Sequence, residues 1–142
     1  MDSVEQIDVD GHLAAILVRA GFCQPGIHFF TPDSFSQQLA YMRHPAGKVI
    51  DPHIHNSVRR EVFFTNEVLV LKRGRVRVDF YDNARDLVGS RVLEAGDVIL
   101  LASGGHGFEI LEEAEMVEVK QGPYAANLDK SRFTPSRMPE SR

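Results

Sequence analysis

The stretch EVLVLKRGRVRVDFY, residues Glu67 to Tyr81, decides the fold. In its second half, Arg75-Val76-Arg77-Val78-Asp79-Phe80, charged and apolar residues alternate. A period of two predicts a β-strand with one wet face and with Val76, Val78 and Phe80 turned to a core. The first half, Val68-Leu69-Val70-Leu71, is apolar without a break, as is Val98-Ile99-Leu100-Leu101. Strands of that kind need cover on both sides, from a second sheet layer or from a partner subunit, so a homodimer is expected. Lys72-Arg73-Gly74, between the two halves, reads as a turn.

Working outward, short β-branched and aromatic runs recur at 27–30, 38–43, 49–55, 60–64, 90–93, 97–101, 107–111 and 116–120. Gly, Asn and Asp divide them at 82–83, 95–96 and 103–105. Many short strands with frequent turn signals predict an all-β sandwich or barrel. Ahead of them, Leu13, Ile16, Leu17 and Ala20 are spaced as on a helix face, but the run is short, and helix and strand both remain open for it.

The chain has 142 residues, 43% hydrophobic and 25% charged, which fits one globular domain able to bury a core without disulfides. Its expected parts are an N-terminal extension packing on the barrel (1–26), the barrel (27–124) and a partly disordered tail (125–142) rich in Lys, Arg, Ser and Pro. The net charge of −4 with dispersed Lys and Arg argues against nucleic acid or an anionic membrane surface as partner. The longest apolar run, Leu13 to Val18, is too short to span a bilayer. Cys23, the only cysteine, cannot form an intramolecular disulfide, which fits a reducing, cytoplasmic setting. With no base beside it in sequence, it reads as a buried, inert thiol.

His53 and His55 stand two apart in a predicted strand, and period-two geometry sends both imidazoles to one face. Imidazole is a common ligand for divalent metals, and two on a rigid strand make half of a ligand set. Around them the sequence resembles the cupin superfamily. Gly47, five residues, His53-Ile54-His55, a gap, Glu67, six residues and Gly74 follow the family's first motif; Gly96-Asp97, an apolar strand, Ser103-Gly104-Gly105 and His106 follow its second. The gap from His55 to Glu67 is eleven residues where the family has three or four, so Glu61 is a rival carboxylate. Glu67 is preferred because it keeps the spacing to Gly74. Ala102 replaces the usual proline, and Ile110 the usual asparagine.

The resemblance implies a single-domain, double-stranded β-helix (jelly-roll) barrel with one divalent metal ion, Fe, Mn, Ni, Zn or Co, held by His53, His55, Glu67 and His106. It implies a small-molecule substrate or ligand. Three functions remain open: a metal-dependent isomerase or epimerase acting on a sugar or sugar phosphate, an Fe(II)-dependent dioxygenase, and a non-catalytic module that binds or senses a small ligand. Arg59 and Arg60 beside the expected mouth, Tyr41 on a strand leading to it and Gln121 at its rim are the candidate substrate contacts, each weighed against an ordinary surface role. No catalytic base can be picked from the sequence beyond the metal ligands.

Overall fold

The computed structural model describes residues 3–135, and the chain divides into two compact units. One takes the residues up to Phe22 and from Phe64 onward; the other is Cys23–Phe63. The first contains β1 (Val4–Val9), β2 (His12–Val18), β5 (Glu67–Tyr81), β6 (Leu87–Leu93), β7 (Val98–Leu101), β8 (Gly105–Lys120) and a 3-10 turn, Ala126–Asp129. The second contains β3 (Gly26–Phe29) and β4 (Ala40–Arg43). Among the described residues no helix is long and apolar enough to cross a membrane.

The larger unit is a single curled antiparallel sheet that forms a half-barrel, in strand order β1-β2-β7-β5-β6, with β8 along the other edge of β5. The predicted turn at 72–74 is instead a bend within one strand, and the two runs at 107–111 and 116–120 are likewise one strand, β8. Register between β5 and β8 shifts three times between Leu71 and Val76. Gly74 lies at the centre with φ +93°, a conformation that only glycine adopts without strain. The shifts change which alternate residues face inward. Leu69 and Leu71 before the bend and Val76, Val78 and Phe80 after it all join one core with Ala15, Leu17, Leu93, Ile99 and Leu101. β7 pairs with the first half of β5 and β6 with the second. The far edges of the curl, β1 and β6, meet through the Arg91–Glu5 ion pair.

Two expectations are corrected here. The face of β5 opposite the core is not wet past the bend: Arg77, Asp79 and Tyr81 are buried, because ion pairing and a packed aromatic ring replace water there. The N-terminal residues are two strands of the sheet rather than an extension lying on it. Asp10 and Gly11 have positive φ (53° and 75°), the geometry of a tight hairpin turn, and Ala14 to Val18 are buried in succession. Part of the expected tail is ordered against the sheet. Phe133 packs edge-on against Tyr81, with ring centroids 5.4 Å apart, and Arg85 lies over its other face. The rest of the tail, 136–142, lies outside the described residues.

Ile16 and Leu100, register partners on β2 and β7, are fully buried. The single chain thus covers both faces of β2 and β7 at this point, whereas Val117 and Val119 of β8, opposite Val70 and Val68 of β5, stay 48% and 54% exposed. In the smaller unit, the loop from β3 to β4 is tied by hydrogen bonds from Thr31 Oγ1 to Gln38 Oε1 (2.8 Å) and from the Leu39 amide to Thr31 Oγ1 (3.1 Å). The strands expected at 49–55 and 60–64 do not form. Pro52 removes a ladder donor and restricts Asp51 before it, and without a pairing strand β-branched composition gives no sheet.

Candidate functional site

Glu67 opens β5, opposite Lys120 of β8. His106 lies near the start of β8, opposite Phe80, thirteen positions along β5 from Glu67. In straight strands that offset would separate the two by about 40 Å. The bend at Gly74 folds the ends together, and His106 Nε2 comes to 3.2 Å from Glu67 Oε1. Both side chains are partly buried, His106 26% and Glu67 18% exposed. The hydrogen bond from His106 holds the Glu67 carboxyl below the ordinary glutamate range. Burial opposes this, while the charge of His106, a hydrogen bond with Glu118 and the charge of Lys120 add to it.

A carboxyl with a lowered folded-state pKa binds fewer protons when folded. Its stabilising contribution is therefore complete above the ordinary glutamate value and is lost as pH falls through the folded-state value. Glu67→Gln is expected to cost about 1 kcal/mol at pH 7 and progressively less below about pH 4.3, read by urea titration at several pH values. A difference that stays constant with pH would contradict the ionised Glu67–His106 bond.

Register puts His106, Phe108, Ile110, Met116, Glu118 and Lys120 on the core-facing side of β8, across from Phe80, Val78, Val76, Leu71, Leu69 and Glu67. Among the described residues no strand pairs with the outer edge of β8, and Phe108, Ile110 and Met116 are 39%, 51% and 38% exposed. They form an apolar strip leading to the Glu67–His106 pair, with the rings of His106 and Phe108 5.7 Å apart. Glu118 and Lys120 are the residues that the sequence reading missed. Their period-two spacing ahead of the Gly122-Pro123 turn was the available signal.

His53 and His55 lie in the smaller unit, exposed and outside any strand. Their rings are nevertheless 5.1 Å apart, edge to face. His53 Nδ1–H donates to the Asp51 carbonyl at 2.9 Å, which leaves Nε2 as the nitrogen with a free lone pair. Among the described residues no three His, Cys, Asp or Glu side chains are gathered as a metal site.

Arg60 and Glu61 line a cavity of about 600 Å³ in the smaller unit together with Asp33, Ser34, Ser36 and Gln38. Arg59 is exposed. Tyr41, on β4, has its ring 6.3 Å from that of His28. Gln121 donates its amide N–H to the Asn66 carbonyl and its side chain to the Gly122 carbonyl. Cys23, expected to be buried, is exposed, with Arg43 Nη1 3.6 Å from its sulfur, because the segment after Phe22 leaves the sheet. No protein-family model, no curated protein and no solved structure matches this chain.

Proposed function

We propose that this chain is a metal-binding protein of the cupin type. In this reading the barrel is of jelly-roll form, one divalent ion is held by His53, His55, Glu67 and His106, and the protein is an enzyme isomerising or epimerising a sugar or sugar phosphate. The observation that carries the reading is the Glu67–His106 contact, made by residues 39 apart in the chain on two paired strands of a curled sheet. A carboxylate and an imidazole are the donors such an ion takes. When bound, the ion supplies a Lewis acid that polarises the substrate's oxygens. In this reading β5 and β8 supply Glu67 and His106, with the Phe108 ring beside His106.

Elemental analysis of the untagged, unchelated protein tests this. About one equivalent of a divalent metal is expected. His106→Ala and Glu67→Ala are expected to lose most of it, and Glu61→Ala to keep it. Iron would direct assays to dioxygen chemistry, and zinc, manganese or nickel to isomerisation. Equal loss in both glutamate variants would overturn the ligand choice. No metal, even after reconstitution, would overturn the metal reading. In that case the direct Glu67–His106 hydrogen bond favours a second reading, in which the carboxylate orients His106 as a base without a metal.

A further inference from the structure

We propose that the outer edge of β8 is a self-association surface, on which two copies of this chain pair antiparallel about a two-fold axis at Val119. β8 runs for 16 residues, and among the described residues only β5 pairs with it. A long open edge is a template for another strand unless charge or proline blocks it. The phase of the ladder decides which backbone groups that edge offers. The Gln121 amide donates to the Asn66 carbonyl, in step with the Lys120–Glu67 and Val119–Val68 register. Val117 and Val119 therefore direct their backbone groups to β5, whereas Glu118 and Lys120 turn theirs outward.

Charge selects the occupant and the register. In the middle of β8 stand Glu109, Glu112, Glu113 and Glu115, and a two-fold axis anywhere from Leu111 to Ala114 sets glutamate opposite glutamate. Beyond them, the regular stretch from Met116 to Lys120 carries Glu118 and Lys120, of opposite sign, and no other charge. An axis at Glu118 or at Lys120 again opposes like charges, and an axis at Val117 leaves Glu118 facing Met116. An axis at Val119 sets each Glu118 opposite the partner's Lys120, which stabilises paired strands. It also agrees with the phase, because Glu118 and the partner's Lys120 then exchange both of their outward backbone bonds. Val119 meets the partner's Val119 as the closely spaced, non-hydrogen-bonded pair. Val117 and Val119, 48% and 54% exposed, share the side of the sheet opposite Leu69 and Leu71 with Val68 and Val70, so the axis joins two apolar strips into one. The pairing needs no metal and is independent of the proposed function.

Sedimentation velocity of the full chain over about 1–300 µM tests this. Reversible dimerisation is expected, half complete at roughly tens of micromolar, as suits a small interface. Raising sodium chloride from about 0.05 to about 0.5 M should weaken it several-fold, since the ion pairs are screened. Lys120→Glu, which sets Glu118 against a carboxylate, and Val119→Lys, which sets two ammonium groups together at the axis, should each weaken association at least about tenfold. The charge-swapped chain, Glu118→Lys with Lys120→Glu, restores opposite signs and should return to within about threefold of the parent. Near-UV circular dichroism confirms that the variants fold, and Val119→Lys lies on the face away from Glu67 and His106. A chain that stays monomeric throughout would overturn the inference and leave the edge to a strand of another protein. A dimer indifferent to both single variants, or one weakened by Lys120→Glu and not recovered by the swap, would overturn it as well.

Discussion

Replacing Gly74 with alanine is expected to destabilise the sheet by roughly 3–5 kcal/mol, close to the whole stability of many domains. Two effects add. The φ of +93° is strained for any residue with a Cβ. A Cβ built there would also stand 2.2 Å from the Glu113 carbonyl oxygen and 2.7 Å from the Ala114 Cα. Both are backbone atoms of β8, so no side-chain rotation relieves the clash, and β5 and β8 would have to part at the bend that encloses the core. Gly47→Ala is the control. Its φ of +87° is similar, but a Cβ there meets nothing within 4 Å, and the cost should stay near 1 kcal/mol. Urea titration followed by far-UV circular dichroism compares the two. Equal midpoints for Gly74→Ala and Gly47→Ala would remove the bend as the element that holds the half-barrel together.

The same glycine shows where sequence reasoning reached and where it stopped. Alternation over Arg75 to Phe80 identified Val76, Val78 and Phe80 as core. Lys-Arg-Gly, however, gives the same local signal whether it closes a hairpin or bends one long strand. What separates the two is the register with β8, some forty residues away, and no local propensity encodes it. The Asp10-Gly11 turn was legible, since Asp-Gly between apolar runs is a strong hairpin signal, but the helix-like spacing of Leu13, Ile16 and Leu17 obscured it. At 49–64 the error ran the other way. Val49, Ile50, Ile54 and Phe63 have strand composition, yet each is more than half exposed because no strand pairs with them.

For the site, the resemblance to the cupin motifs named Glu67 and His106 among four ligands, and the fold brings these two side chains into contact. Lys120 and Glu118 stayed hidden because their nearness to His106 exists only after β5 and β8 have folded over at Gly74. The charged face of Arg77 and Asp79 was misread for a related reason. Alternation says which residues share a face, but not whether that face meets water.

That face carries the second large effect. Arg77 and Asp79 are 5% and 3% exposed and join in a two-pronged pair, Nε to Oδ1 at 2.8 Å and Nη2 to Oδ2 at 3.3 Å. Ser90 on β6 donates to Asp79 Oδ1 at 2.6 Å, and Arg77 Nη1 reaches Glu109 Oε2 on β8 at 2.7 Å. Asp79, with Glu109 behind it, holds the Arg77 guanidinium above its ordinary pKa against the pull of burial, so the cation cannot escape by losing its proton. Asp79→Ala should therefore cost about 3–5 kcal/mol, because it strands a buried charge. The double variant Arg77→Met, Asp79→Leu should cost less than that single change, since it removes both charges and refills the space. The network ties three strands three residues from His106, so Asp79→Ala should also loosen His106 and, under the proposed metal reading, lower the metal content, whereas the double variant should restore much of the stability but not the tie to Glu109. A double-mutant cycle in urea with parallel elemental analysis reads both effects. If Asp79→Ala cost under 1 kcal/mol, the pair would be an ordinary solvated one, and the far half of β8 would owe its position to the core alone.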